Sequence, residues 1–442
     1  MFAGAVQGSD PIMTMVQTSP AVREGSTAAG AGRLCAVLGG LYLAQGIPTY
    51  LLLVALPPLM RESGASRTAI GLFSLLMLPL VLKFAVAPLV DRWAPWPGLG
   101  HRRGWVVPTQ LLVSAGIASM ALVEPDQAGM LFAIGICITL LSSVQDIATD
   151  GYAVRHLTGR TRPIGNAVQA GAVALGVIIG GTLTLVLFHK IGWRPTILLV
   201  ACLSLLPLVA AIWMKDSAIA TPESPPRRRA SLFGFFRRRN AWMVLAFALT
   251  YRASEGLVRG MEGPYLVDNK VPTEWIGYMS GAAAATAGLL GALIAALIIR
   301  KAGLTATLIL LGGLRSLCFL AFALNAFGIW PGIAVAMSAS AFQTLIRYME
   351  LVAIYSFFMA SSSDDQPGTD FTILSCAELV VYLIGTSIAG YLADRFGYAA
   401  LFSSATVISV LGIGLSVWML ERIKARPSPP DHHHFSRIEL KS

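Results

Sequence analysis

Charge is scarce in this sequence: of its 442 residues only 13% are charged while 55% are hydrophobic, and the mean hydropathy is +0.68. A soluble domain keeps roughly a quarter of its residues charged, so the composition excludes a water-exposed fold and reads as a membrane protein. Cysteine is sparse too. Cys35, Cys137, Cys202, Cys318 and Cys376 stand singly within apolar runs, which excludes a CxxC site and a disulfide framework and leaves them as small core residues. Motifs of hydrolases and ATPases are missing: there is no HExxH, no GxSxG with partners, and no Gly-Lys dipeptide from which to build a phosphate-binding loop. His101 and His156 fall in loops on one side, His189 in a loop on the other, and His432, His433 and His434 in the C-terminal tail. We therefore expect no enzyme, no catalytic residue, no cofactor and no metal centre. The tail triplet reads as solvated, although three adjacent imidazoles also suit a metal ion.

What is present is organised around an interruption, Lys215 to Asn240, with three prolines, seven Lys+Arg and almost no apolar periodicity between two long hydrophobic regions. The regions resemble one another. Ile70-Gly71 with Ser74 recurs as Ile276-Gly277 with Ser280, Gln45-Gly46 as Glu255-Gly256, and Ile191-Gly192-Trp193 as Phe396-Gly397-Tyr398. The nearly constant offset across these matches indicates duplication of a six-segment unit.

A helix needs about 20 apolar residues to cross the bilayer. Twelve runs qualify, near 34–58, 68–90, 105–123, 128–150, 164–188, 194–214, 241–265, 275–299, 303–324, 330–358, 370–392 and 398–420. The expected fold is an all-α membrane protein, twelve transmembrane helices in two pseudo-symmetric six-helix bundles. Its parts are a disordered tail with no secretory signal (1–33), an N-terminal bundle (34–214), a basic linker (215–240), a C-terminal bundle (241–420) and a second tail (421–442). With both termini cytoplasmic, that side collects Arg23, Arg33, Arg92, Arg102, Arg103, Arg155, Arg160, Arg162, the linker cations, Arg300, Lys301 and the tail cations. The opposite side holds only Arg61, Arg67, Lys190, Arg194, Lys270 and Arg395. The asymmetry orients the chain. The net charge of +10 then reflects orientation, and no nucleic-acid partner is expected.

Lys83, Arg252, Arg259, Arg315 and Arg347 fall inside the spans, with Asp146, Glu255, Glu262, Glu350 and Glu378, and with Asp150 and Asp370 at span ends. An ion in hydrocarbon costs at least roughly 3 kcal/mol, so these side chains should face protein or a wet cavity. Most of this polar load, with Gln45 and Gln145, sits in the first, fourth, seventh and tenth spans. Asp146 and Asp150 share one helix face, as do Arg252, Glu255, Arg259 and Glu262. Such faces would line a central cavity, although Arg252 with Glu255 and Arg347 with Glu350 also read as neutralised pairs that lock helices. Small residues recur at Ala172, Gly176 and Gly180 in the fifth span and at Gly277, Gly281, Ala285 and Gly288 in the eighth. Such stripes let helices approach closely, either across the interface of the halves or within one half. Pro48, Pro57, Pro58 and Pro79 would bend or end the first two spans.

Twelve spans, a long basic central loop, and Asp91-Arg92 followed by Arg102-Arg103-Gly104 after the second span resemble the major facilitator superfamily, although the leading glycine of that loop is absent. Tyr42-Leu43-Ala44-Gln45-Gly46-Ile47-Pro48, Leu82-Lys83-Phe84, His101-Arg102-Arg103-Gly104-Trp105 and Gly368-Thr369-Asp370-Phe371-Thr372 are similar to its muropeptide-permease-like branch, which also includes acetyl-coenzyme A transporters. Gln145-Asp146-Ile147-Ala148-Thr149-Asp150-Gly151 with Gly165-Asn166-Ala167-Val168-Gln169 is most similar to bacterial inner-membrane siderophore permeases of the pyochelin and rhizobactin type. Tyr50, and the Arg347-Tyr348-Met349-Glu350 stretch, depart from that pattern.

The resemblance implies import of an intact organic ligand, a ferric siderophore first, by proton-coupled alternating access in a monomer of the bacterial inner membrane. Alternatives are a muropeptide or another anionic metabolite, with an acetyl-coenzyme A-like substrate behind them, and outside transport a membrane sensor or scaffold. Candidate substrate contacts are Tyr42, Gln45, Gln145, Arg252, Arg259, Arg347 and Tyr348, because guanidinium groups present paired donors to carboxylate or phenolate oxygens. Candidate proton-coupling groups are Asp146, Asp150, Glu255, Glu350 and Glu378, and candidate gating groups are Lys83, Asp91, Arg92, Arg102, Arg103 and Asp370.

Overall fold

In the computed structural model of this chain, residues 28–63, 73–158, 161–215, 230–272 and 283–424 are described, with 275, 278 and 279 between them. Residues 1–27 and 425–442 of the two tails, most of the linker, the Ile70-Gly71 and Ile276-Gly277 match, Arg67, Arg160, and the Gly277 and Gly281 end of the eighth span lie outside the described residues, while 28–33, expected in a disordered tail, already belong to the first helix.

The described chain is helical, and seven helices are long and apolar enough to cross a membrane. The last of these, Pro367–Ile423, is two spans: Gly397 turns the chain between them at φ 80°. Its repeat counterpart Gly192 adopts φ 81° between the fifth and sixth spans. A positive φ of this kind suits glycine, and its recurrence at matched positions carries the duplication from sequence into backbone.

The first, second and seventh spans are interrupted, each for a local reason. The first runs from Ala28–Tyr50 through a π-helical stretch, Leu51–Ala55, into Leu56–Glu62. Pro57 and Pro58 have no N–H to return to the preceding turn, and a widened turn absorbs the missing bonds. Prolines likewise divide the second span into Leu78–Leu82 and Ala87–Arg92, joined through the 3-10 turn Lys83–Ala85. The seventh breaks between Ala241–Thr250 and Glu255–Asp268. There Glu255 N bonds Arg252 O at 3.0 Å, which leaves the carbonyl of Tyr251 without its helical donor. Arg315 Nη2 of the ninth span donates to it at 2.7 Å.

Close helix packing repeats as well. A Cβ on Gly176 would fall 2.6 Å from Gly46 Cα, joining the fifth and first spans, and one on Gly256 would fall 2.3 Å from Tyr382 O, joining the seventh and eleventh. The small-residue stripe of the fifth span therefore packs within its own half, and Gly288 of the eighth likewise meets Tyr348 of the tenth. Of the two readings the sequence allowed, packing within a half is the one these stripes serve. The fifth and eighth spans do meet, through Gly171 and Leu289 instead.

Hydrogen bonds between residues before the linker and residues after it gather on the side where the linker lies. Asn166 Nδ2 donates to Ser356 Oγ at 3.0 Å, Thr369 N and Oγ1 each donate to Asp91 Oδ2 at 2.6 Å, and Cys376 Sγ lies 3.7 Å from Leu80 O. Farther along, Val177–Leu183 and Thr184–Ile191 of the fifth span pack on the first and sixth spans. The molecule is closed on its linker side.

Candidate functional site

Two ionic clusters lie in the interior, one in each half. In the first half, Lys83 of the second span is ion-paired to Asp146 of the fourth and stands 3.9 Å from Asp150. Tyr42 of the first span donates its hydroxyl to Asp150 at 3.1 Å. The single helix face that carries Asp146 and Asp150 thus collects one lysine and one phenol from two other helices. Gln145 turns away from this group: its Nε2 donates to Gln110 of the third span at 2.7 Å, and Gln110 in turn donates to Ser204 O.

In the second half the helix break sets the geometry. It places Arg252 so that Nη1 reaches Glu378 of the eleventh span at 2.5 Å, while its own-helix neighbour Glu255 is 3.5 Å away. Glu350 of the tenth span takes Arg315 at 2.8 Å and is 3.6 Å from Arg252. Glu255 instead accepts from Gln343 Nε2 at 2.9 Å. Arg259 pairs with Glu262 at 2.9 Å, and Ser340 also donates to Glu262. All of these carboxylates are nearly inaccessible to solvent; Glu255 is 1% and Glu350 0% exposed.

The clusters converge on one tyrosine. Tyr355 of the tenth span is within electrostatic reach of Glu378 and Arg252 from one half and of Lys83 and Asp150 from the other. Arg347 lies two turns away on the same helix with no carboxylate partner among the described residues. Its guanidinium rests 5.2 Å from the centre of the Tyr348 ring, and its Nε is buried without a hydrogen-bond partner. Tyr50 of the first span interacts with both Tyr348 and Arg347, so this second station also draws on both halves. Lys83, Arg252, Arg259 and Arg315 each have a carboxylate. Among the described residues, the in-span guanidinium without a carboxylate is therefore Arg347. Gln45 of the first span and Gln169 of the fifth carry buried amide atoms without partners among the described residues.

The remaining candidates lie at the linker side. Asp91 is ion-paired to Arg102, and both are buried. Burial alone would push the Asp91 carboxyl up, but the Arg102 guanidinium and the Thr369 hydrogen bonds outweigh it and hold the group below the usual carboxylate range. A Cβ on Gly151 would fall 2.5 Å from the Arg102 guanidinium, so a larger residue there would have to displace the guanidinium from this pair. Arg92 donates to Ala230 O, and Asp370 pairs with Arg238 and accepts from Gln366 at 2.6 Å, so the end of the linker is tied to both halves. Arg103 opens the third helix beside them. Lys83 stands apart from this group, in the interior with Asp146.

Sequence reasoning saw side chains that share a helix and missed those that meet across helices. Tyr251, Gln343 and Tyr355 carry no signal of their own in the sequence, Arg315 reads there only as an in-span charge, and Arg252 and Glu350 each take as closest partner a residue on a different span from the one their spacing suggests. A signal existed for Arg315 and Glu378: a lone in-span charge outside the polar helices needs a partner of opposite sign nearby.

A family model described as Major Facilitator Superfamily matches residues 38–362. The anhydromuropeptide permease of Escherichia coli K12 is 27% identical over 386 residues, covering 86% of this chain and 78% of that protein. Among solved structures, a bacterial homologue of the iron transporter ferroportin in an outward-facing state superposes with TM-score 0.68 at 16% identity, over 88% of this chain and 99% of that one. The Escherichia coli fucose:proton symporter gives 0.65 at 13% identity, over 91% and 100%. At such identities the structural likenesses concern the fold alone.

Proposed function

The chain belongs to the Major Facilitator Superfamily, as a multi-pass transporter with that superfamily's all-α fold and in its muropeptide-permease-like branch, and we propose that it imports an intact organic anion by proton-coupled alternating access. The observation that carries the reading is Arg347: a guanidinium without a carboxylate, set on an aromatic ring at a junction of both halves, where an incoming oxyanion supplies the missing counter-charge. Tyr348 and Tyr50 offer ring faces to an aromatic or sugar ring beside it. Arg252 ties the seventh span to Glu378 of the eleventh and Arg259 is held by Glu262 of its own helix, so both reach substrate only by exchanging their carboxylates. The linker side is taken as cytoplasmic from the arginine and lysine asymmetry, so the closed linker side is the state that receives substrate from outside.

Transport then consists of the bundle 34–214 rocking against the bundle 241–420 about this midplane. Opening the linker side breaks the Asp91 bonds to Thr369 and the Asn166 bond to Ser356. A ferric siderophore is the substrate we place first, because its carboxylate and phenolate oxygens suit Arg347 and because the Gln145 to Gly151 stretch resembles siderophore permeases. An anhydromuropeptide is the second reading, favoured by the identity with the Escherichia coli permease. Purified protein in liposomes with an inward proton gradient discriminates: accumulation of a ferric phenolate siderophore, abolished by a protonophore, supports the first reading, while accumulation of anhydromuropeptide alone supports the second. Accumulation of neither, or accumulation indifferent to the protonophore, refutes the proposal.

A further inference from the structure

Not every interior carboxylate has a cation of its own, and the unmatched carboxylate is placed in the same way in both halves. In the first half Lys83 is matched by Asp146, which leaves Asp150 over. The groups facing Asp150 are the Tyr42 hydroxyl, Lys83 at 3.9 Å, Asp146 and, from the other half, Tyr355, with the Cys376 thiol also in reach. In the second half Arg252 is matched by Glu378 and Arg315 by Glu350, which leaves Glu255 over. Around Glu255 stand Arg252 at 3.5 Å, the Gln343 amide at 2.9 Å, Glu350, the Cys318 thiol and, one turn on, Arg259, whose own partner is Glu262. Each leftover carboxyl therefore takes its nearest hydrogen bond from a neutral donor, a phenol in one half and a primary amide in the other. Each has its nearest cation beyond hydrogen-bond geometry, already engaged by a second carboxylate. Glu255 Oε1 is buried with no hydrogen-bond partner. An uncompensated carboxylate in such surroundings is costly, and taking up a proton removes the cost.

We infer that the carrier binds two protons for each substrate anion, one on Asp150 in the first half and one on Glu255 in the second. The inference rests on the proton-coupled reading above and adds its stoichiometry and its sites. With both carboxyls protonated, Arg347 is the one unbalanced charge left, and a monoanion against it neutralises the interior. That fully loaded state reorients at least cost, whereas the empty state, after both protons and the anion have left, carries one net negative interior charge on its return. A monoanion carried with two protons moves one positive charge inward, so transport is electrogenic.

Infrared spectroscopy of the full-length protein in lipid tests the sites without any substrate, because a protonated carboxyl has a C=O stretch separate from carboxylate and amide bands. Two such bands are expected at neutral pH, one lost in Asp150→Asn and the other in Glu255→Gln, with both lost in the double variant. Should a substitution impair folding, Asp150→Glu and Glu255→Asp shift the corresponding band instead of removing it. One band or none, or bands removed by Asp146→Asn or Glu378→Gln instead, overturns the assignment. Protonophore-sensitive uptake accompanied by a single band refutes the two-proton inference and spares proton coupling. Uptake indifferent to the protonophore refutes the coupling itself, whatever the bands show.

Discussion

Replacing Asp91 by Asn should open the linker side. In the closed molecule one carboxylate oxygen takes Arg102, and the other takes Thr369 N and Oγ1 at 2.6 Å each from the opposite half. An amide of the same shape presents one oxygen and one NH2, so either Arg102 or the Thr369 N–H faces a donor instead of an acceptor. A hydrogen bond to a charged group is worth roughly 1.5–3 kcal/mol. Since the Thr369 bonds exist only while the halves are together on that side, their loss falls on the closed state alone. Taking about 2 kcal/mol, the equilibrium shifts toward the linker-open state by roughly 30-fold, at about 1.4 kcal/mol per decade. Cys376 reports the shift. It is 3% exposed and packs against Leu80 O across the halves. With Cys35, Cys137, Cys202 and Cys318 changed to Ser, its alkylation by a maleimide should accelerate by about that factor in Asp91→Asn. A rate within threefold or so of the parent, less than about 0.7 kcal/mol, would refute the assignment of closure to Asp91.

Three further outcomes follow from the same geometry. The Asp91 carboxyl titrates below its unfolded value, so its contribution to closure is complete at neutral pH and is lost as pH falls through the lowered folded value; spin labels at Thr158 and Asp365 should separate in acid, and Asp91→Asn should abolish that dependence. Glu350→Leu strands Arg315, which is 0% exposed, and should cost roughly 3–5 kcal/mol in thermal unfolding, with much of it recovered when Arg315→Leu is added; equal losses in single and double variants would deny the pairing. Gly256→Ala brings a methyl group to 2.3 Å from Tyr382 O and should destabilise by about 1–3 kcal/mol, whereas Gly263→Ala, with nothing within 4 Å, should not.

The sequence made legible what depends on neighbours along the chain. Hydropathy pointed to an all-α membrane fold, and the match of Gly192 to Gly397 anticipated two closely similar backbone turns. Asp146 with Asp150 was also visible, because four residues on a helix share a face. Pairings between helices were not. Arg252 reads from its spacing as a partner of Glu255, yet the break at Tyr251 to Ser254 turns it toward Glu378. Lys83 sits in a stretch that resembles a gating motif, and its closest partner is decided by the fourth span lying against the second. Arg347 and Glu350 are one turn apart, but Glu350 is taken by Arg315 from the ninth span, and that is what leaves Arg347 free.

The most direct measurement is equilibrium binding of a ferric phenolate siderophore and of an anhydromuropeptide to purified protein carrying Arg347→Ala. Losing one guanidinium contact to an anion, worth roughly 1.5–3 kcal/mol, should weaken whichever ligand the parent binds by about 10- to 150-fold, with Arg347→Lys intermediate. Unchanged affinity in Arg347→Ala would show that the anion is held elsewhere and would contradict the site on which the account is built.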